Sequence, residues 1–91
     1  MHLDIRHDRA AHRFEVQVEG VHCLLDYMLA GGVMTITHTE VPPAASGRGV
    51  AGELVRTALE FARGEGWKVR PACSYAAAWM GWHPDYAELR A

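Results

Sequence analysis

The chain has 91 residues and a formal net charge of −2, and it is 49% hydrophobic and 22% charged. This length and composition predict one small globular domain, residues 1–91. The negative net charge disfavours a nucleic-acid-binding protein, which usually carries a basic face. No apolar stretch approaches the roughly 20 residues of a transmembrane helix, and residues 1–14 lack the apolar core of a signal peptide. We therefore expect a cytoplasmic protein without membrane contacts, a monomer or weak dimer, with free cysteine thiols.

Alternating apolar and polar residues predict antiparallel strands in the first half of the chain. Residues 13–19 alternate strictly and predict a half-buried strand, and residues 21–29 predict a second strand. Gly31 and Gly32 predict a hairpin turn, because glycine adopts positive φ without a Cβ clash. Residues 33–41 are rich in β-branched side chains and predict a third strand, while Ile5 predicts a frayed edge segment. These strands form an antiparallel meander.

A helical crossover is predicted to follow the meander. Pro42 and Pro43 end the third strand, and an amphipathic helix begins near Val50 and ends near residues 64–66. Residues 67–72 predict a short strand, which a strand–helix–strand connection makes parallel to the third. Ser74 is predicted to be the N-cap of a short C-terminal helix. The predicted fold is therefore α/β (α+β): a meander, a crossover helix, a parallel strand and a second helix.

The loop Ser46-Gly47-Arg48-Gly49 leads directly into the crossover helix. The first four N–H groups of a helix lack intrahelical acceptors, and the helix dipole places partial positive charge there. Gly47 and Gly49 have no side chains to hinder a phosphate, and Arg48 adds a positive charge. The pattern fits neither the P-loop nor the three-glycine dinucleotide fingerprint. The residues alone leave two interpretations open, a phosphate-binding loop and a tight surface turn.

The order of these elements, with this loop, resembles that of GNAT-type acetyltransferases. That family marks its acetyl-CoA site with Gln/Arg-x-x-Gly-x-Gly/Ala between a strand and the following helix. Here the corresponding residues are 46–51, SGRGVA, in which Gly49 and Ala51 match and Ser46 replaces the usual Gln or Arg. The longer run HTEVPPAASGRGVAGELVRTALEFARGEGWKVRPACSY, followed by HPDY, resembles a compact branch of single-domain members.

The resemblance implies acetyl-CoA as the cofactor and assigns residues to its binding. The amides of residues 47–51 would hold the pyrophosphate, and the main chain of residues 39–41 would pair with the pantetheine arm. The thioester would then point towards Cys73 and Ser74. The cofactor-binding residues so implied are Thr39, Glu40, Val41, Ser46, Gly47, Arg48, Gly49, Val50, Ala51 and Ser74.

His38 and Cys73 are the candidate catalytic residues. By period two, His38 shares a strand face with Met34 and Ile36, so it is either a hydrogen-bonded core residue or a general base. Glu40, on the same face, is an alternative base or a solvated carboxylate. Cys73 lies next to a predicted helix start, where the dipole favours a thiolate. It is either an acetyl-accepting nucleophile paired with His38 or a small apolar residue that lines the acetyl pocket.

Other residues carry weaker signals. Cys23 is predicted to lie in the core, and the six histidines show no spacing typical of a metal site. Trp79 and Trp82 lie three apart and are predicted to share one helix face, either in the core or as an exposed patch for a partner. The family's frequent general acid, a tyrosine on the last helix, has no clear counterpart, because Gly81 or Trp82 takes roughly that place.

Three functions remain open at the level of sequence, and the last of them is a protein-interaction domain with a vestigial cleft that binds no CoA. The first is transfer of an acetyl group from acetyl-CoA to an unidentified amine, either a small molecule or part of a protein. Helices and strands that shape the acceptor pocket in longer members of the family are not recognisable, so an open site suited to a large acceptor is expected. The second is a non-catalytic module that binds CoA or acyl-CoA, which the missing tyrosine favours.

Overall fold

The computed structural model describes residues 2–91 and contains one mixed sheet whose strands follow the order of the chain, β1-β2-β3-β4-β5. The first four strands are antiparallel and β5 is parallel to β4, so the predicted meander and crossover are confirmed. The elements are β1 Arg6–Asp8, β2 Arg13–Val18, β3 Val21–Ala30, β4 Val33–Glu40, a 3-10 helix Pro43–Ala45, α1 Val50–Glu65, β5 Lys68–Pro71, α2 Ser74–Trp82 and a second 3-10 helix Pro84–Leu89.

One face of the sheet carries the core. Alternate residues of β2 and β3 are buried there, as the sequence alternation predicts, and they pack with the apolar side of α1. The opposite face is largely polar, and its side chains include the ion pair between Arg13 and Asp26, with N–O distance 2.7 Å. We call this second surface the open face. Ile5 lies just outside β1, which extends the sheet by a short edge strand.

A β-bulge interrupts β4 at Thr37. Asp26 of β3 pairs with His38, and the next residue, Tyr27, pairs with Ile36, so Thr37 has no partner on β3. A bulge inserts one residue and reverses the alternation of side chains beyond it. The prediction that His38 shares the apolar face with Ile36 is therefore wrong. His38 lies on the open face, whereas Thr39 pairs with the buried Leu25 and turns towards the core side.

Helix α1 makes the crossover as predicted. Its C-cap is Gly66, with φ of 75°, and the Gly66 amide donates to the carbonyls of Ala62 and Arg63. Strand β5 then pairs with β4 only as far as Ile36. Strand β5 ends at Pro71, which cannot donate a ladder hydrogen bond. In the part of the chain that the structure describes, nothing continues the sheet beside residues 37–40 on that side, and β4 and β5 separate there.

Helix α2 begins one residue earlier than predicted. Its N-cap is Cys73, with extended backbone, and Ser74 is the first helical residue, so the assignment of Ser74 as N-cap is wrong. The amide of Cys73 donates to the Ile36 carbonyl over 2.9 Å, which fixes the helix start at the point where β4 and β5 separate. Trp79 is 4% exposed and Trp82 66%, so the two tryptophans do not share one environment. Among residues 2–91, no helix combines the length and apolarity that crossing a membrane requires.

Candidate functional site

A cavity of about 380 Å³ lies between the first turn of α1, the end of β4 and the start of α2. It is lined by most of the residues to which cofactor binding is assigned above; Glu40, Arg48 and Ser74 do not line it. Two further residues, Gly52 and Tyr75, complete its wall. The lining residues are Thr39, Val41, Ser46, Gly47, Gly49, Val50, Ala51, Gly52 and Tyr75.

The glycines of the loop place uncapped amides in this cavity. Gly49 is the N-cap of α1 and adopts left-handed backbone with φ of 76°, and Gly47 has φ of 78°. No side chain caps the helix, because glycine has none to offer. A Cβ at either position would meet no atom within 4 Å, so the space in front of both glycines is open. The first-turn N–H groups therefore face an open space in which an anion is electrostatically favoured.

The polar side chains of the loop are already engaged within the protein. The Arg48 guanidinium forms an ion pair with Glu19, which lies in the tight turn between β2 and β3. The Ser46 hydroxyl donates to the Pro43 carbonyl over 2.9 Å. The short side chain of Ser46 thus binds its own loop and brings no charge to the cavity. The positive character of the site therefore comes mainly from backbone amides.

The end of β4 offers an unpaired strand edge to the same cavity. Thr39 and Val41 line the cavity, and β5 has already ended at Pro71. A strand edge without a neighbour can accept an extended ligand, whose polar groups then pair with the main chain. The bulge at Thr37 lies directly after Ile36, the last β4 residue that pairs with β5, and a bulge bends its strand.

Cys73 lies where β4 and β5 separate, and its Sγ is 3.7 Å from the Thr39 hydroxyl oxygen. Burial raises the pKa of the Cys73 thiol, but the amides of Ala76 and Tyr75 and the Thr39 hydroxyl favour the thiolate, and the net pKa is lowered. The amides point towards the sulfur without forming a full capping hydrogen bond. Cys23 differs, since it is fully buried and burial raises the pKa of its thiol. Both thiols are free.

His38 does not lie beside Cys73. Its ring is on the open face, its side chain is 56% exposed, and its Nε2 is 3.2 Å from Oε1 of Glu40. The hydrogen-bond partner of Cys73 is Thr39, the residue after His38. The structure thus brings His38 and Glu40 together at the open side of the splayed edge, and it separates them from the thiol.

Tyr75 and Gly52 join the two helices at the cavity. A Cβ on Gly52 would lie 3.1 Å from Nε1 of Trp79 and 3.5 Å from the Tyr75 hydroxyl, so this glycine lets α1 and α2 approach closely. Burial raises the pKa of the Tyr75 hydroxyl. Helical periodicity places Gly52 on the polar half of α1, and it gives Tyr75 no distinguishing mark. Neither residue is therefore recognisable in the sequence as part of the cavity wall.

Among residues 2–91, no three His, Cys, Asp or Glu side chains converge in a manner that would hold a metal ion. The histidines are instead dispersed over different contacts. His7 stacks on Phe14 with ring centroids 4.0 Å apart, and His83 stacks on Trp79 at 3.7 Å. The polar groups in and beside the cavity include backbone amides, the Thr39 and Tyr75 hydroxyls and the Cys73 thiol, and the His38–Glu40 pair lies on the open face.

A family model described as GCN5-related N-acetyl-transferase matches residues 13–89, which run from β2 to the second 3-10 helix. The chain belongs to this family. The resemblance found in the loop and its flanking elements is thereby confirmed. The cavity lies at the start of the crossover helix α1, and most of residues 46–51 line it.

Relatives in vertebrates and a solved bacterial structure share this family or fold. Protein NATD1 of Homo sapiens is 35% identical over 85 residues, which cover 90% of this chain and 75% of that protein. Protein NATD1 of Gallus gallus is 34% identical over 85 residues, covering 90% of this chain and 77% of that protein. The NMR solution structure of a GCN5-like protein from Staphylococcus aureus superposes with a TM-score of 0.78 at 22% identity, over 98% of this chain and 88% of that one. That likeness confirms the α/β fold.

Proposed function

We propose that this protein binds acetyl-CoA and transfers its acetyl group to an amine. One observation carries the proposal: the uncapped first turn of α1 and the unpaired edge of β4 open into the same cavity. An anionic pyrophosphate and an extended amide-bearing arm require these two features. Membership of the GCN5-related family supports the same ligand and reaction class.

The loop and the first turn of α1 would hold the pyrophosphate. Gly47 and Gly49 leave their amides accessible, and the partial positive charge of the helix start stabilises an anion there. Arg48 lies next to these amides and would contribute charge if it exchanged Glu19 for a phosphate. The main chain of residues 39–41 would pair with the pantetheine arm, as an added strand would. The described residues therefore fit the cofactor.

The reacting end would lie near Cys73, at the separation of β4 and β5. When bound, acetyl-CoA supplies a thioester whose carbonyl carbon an amine can attack. His38 and Glu40 face the open side of this edge, from which an acceptor can arrive without displacing the core. His38 would take the proton from the amine, and Glu40 would hold the imidazole ring. The amides of Tyr75 and Ala76, which favour a Cys73 thiolate, would also stabilise negative charge on a departing thiolate.

Direct transfer to the amine accounts for the separation of His38 from Cys73. A covalent route through Cys73 gains support from the lowered pKa of its thiol. Among residues 2–91, however, the side chain that forms a hydrogen bond with the sulfur is the Thr39 hydroxyl, which is not a base. We assign Cys73 to the wall of the acetyl pocket and Ser74 to the start of α2 beside it. The second candidate function is a non-catalytic CoA-binding module. The exposure of His38 favours it, because 56% of this side chain faces solvent.

Calorimetry with CoA and acetyl-CoA tests the binding claim, and release of free thiol in the presence of a panel of amines tests the transfer. The variants are His38→Ala and Cys73→Ala, with His22→Ala as the control, because His22 is an exposed histidine of the open face that is paired with Glu15. We expect wild type to bind both ligands, His38→Ala to lose transfer, and Cys73→Ala and the control to retain it. Absence of binding by wild type overturns the proposal, and binding without transfer to any amine establishes the non-catalytic module.

A further inference from the structure

Trp82, the last residue of α2, presents its indole to solvent. It is 66% exposed, and the only other large hydrophobic side chain of comparable exposure among residues 2–91 is Met28, at 64%. Exposure by itself assigns no role, because isolated apolar side chains are common on protein surfaces. The neighbours of the two residues differ, since Met28 lies on the open face of β3 and Trp82 lies beside the candidate site.

Tyr75 connects the Trp82 indole to the cavity. The two rings pack edge to face, with centroids 6.3 Å apart and planes inclined by 80°. Tyr75 lines the cavity, and its hydroxyl lies 3.5 Å from the point that a Cβ on Gly52 would occupy, in the first turn of α1. An aromatic surface formed by Tyr75 and Trp82 therefore runs from the uncapped amides of α1 to solvent. We call it the aromatic strip.

The covalent order of coenzyme A decides which part of the ligand would meet the aromatic strip. Pyrophosphate joins the pantetheine arm to the adenosine nucleotide. If the arm follows Thr39 and Val41 and the pyrophosphate lies at the first turn of α1, the adenosine must leave the cavity on the side away from β4. Tyr75 lies at that first turn, and Trp82 continues the surface outwards along α2.

We propose that the aromatic strip binds the adenine base of coenzyme A, with the base stacked on the exposed face of Trp82. Every nucleobase has a π face, and stacking on an aromatic side chain needs no further hydrogen bonds. The packing against Tyr75 restrains the indole before a ligand arrives, which lowers the entropic cost of binding. This inference rests on the proposed function and adds to it a site that distinguishes the whole coenzyme from its pantetheine half.

The test compares two ligands that differ by the nucleotide. Calorimetry measures the dissociation constants of CoA and of 4′-phosphopantetheine for wild type, Trp82→Ala, Trp82→Phe and the control Met28→Ala, which removes the other exposed large hydrophobic side chain. Dephospho-CoA serves as a third ligand, because it keeps the adenine and lacks the 3′-phosphate. Thermal melts verify that each variant is folded, and the exposure of both replaced side chains predicts that all are.

We expect Trp82→Ala to bind CoA and dephospho-CoA about tenfold more weakly than wild type and to bind 4′-phosphopantetheine with unchanged affinity. Trp82→Phe retains most of the affinity, and Met28→Ala behaves as wild type. An equal loss for all three ligands, or no loss for any, overturns the adenine site and leaves the proposed function intact. If wild type binds none of the ligands, both proposals are overturned together.

Discussion

The thiol of Cys73 lies 3.7 Å from the hydroxyl of Thr39, across the point where β4 and β5 separate. One residue belongs to the strand before the crossover helix, and the other is the N-cap of the helix that follows β5. Their contact therefore joins the end of β4 to the start of α2. It also lowers the pKa of the thiol together with the amides of Ala76 and Tyr75, against the opposing effect of burial.

This contact predicts selective alkylation. Near neutral pH, iodoacetamide should label Cys73 and spare Cys23, because the pKa of Cys73 is lowered while Cys23 is buried with a raised pKa. Thr39→Val should slow the labelling of Cys73 about threefold, since it removes a hydrogen bond to the thiolate. Thr35→Val, on the same strand but on the open face, is the control. Peptide mass spectrometry follows each site, and equal rates for Thr39→Val and wild type would show that the hydroxyl does not support the thiolate.

Gly49→Ala should reduce both stability and coenzyme affinity. The left-handed backbone at Gly49, with φ of 76°, costs a residue with a Cβ about 1 kcal/mol or more, and the new methyl projects into the space before the first-turn amides. Gly32→Ala is matched in strain, with φ of 75° and open space, but it lies in the β3–β4 turn at the other end of β4. Urea unfolding should show that both variants lose a similar amount of free energy of unfolding. Calorimetry should show at least tenfold weaker CoA binding for Gly49→Ala alone, and a parallel loss in Gly32→Ala would refute the phosphate assignment.

Glu19→Gln should strengthen CoA binding. The Glu19 carboxylate neutralises Arg48 at the mouth of the site, so its removal frees the guanidinium for a phosphate. Exposed pairs of this kind contribute at most about 1 kcal/mol, so we expect a two- to fivefold gain, roughly, that fades at high salt. The control is Glu65→Gln. The Glu65 carboxylate pairs with Arg9 and not with Arg48, so this variant removes the same charge and should leave the affinity for CoA unchanged. Equal gains in both variants would indicate a general charge effect in place of competition for Arg48.

Stability should fall as the pH is lowered because of His7. Burial, assisted by the Arg9 guanidinium, lowers the pKa of His7, whose ring stacks on Phe14 and is hydrogen-bonded to the Tyr27 hydroxyl. Below its ordinary value of about 6.5 the unfolded chain then binds more protons than the folded one. The contribution of His7 to the free energy of unfolding is therefore complete above that value. It is lost as the pH falls through the lower pKa that His7 has in the folded protein.

Urea midpoints measured near pH 7.5 and near pH 5.5 test this dependence. We expect the wild-type midpoint to drop, and His7→Asn to be less stable near pH 7.5 but to drop less. His22→Gln, which replaces an exposed histidine, should keep the wild-type drop. A drop of the same size in His7→Asn would assign the pH dependence to other groups.

The alternation of β2 and the amphipathic pattern of α1 were sufficient to predict these elements, because each buries one face against the same core. The motif at residues 46–51 likewise predicted the loop whose amides line the cavity. The side chains of β4 alternate between the two faces of the sheet only as far as Thr37. A bulge leaves no local signature in a run of threonines, and it reversed the side-chain direction of His38.

Local sequence by itself thus determined the strands, the crossover helix and the glycine-lined helix entry, since hydrophobic period and glycine placement act over a few neighbouring residues. Tertiary structure alone decided that Tyr75 joins the cavity, that Thr39 meets Cys73, and that His38 faces the open side. Each of these depends on how α2 and β4 are positioned by distant partners, such as Gly52 and Asp26. Contacts between residues far apart in the chain are set by the packing of whole elements, which no short stretch of sequence encodes.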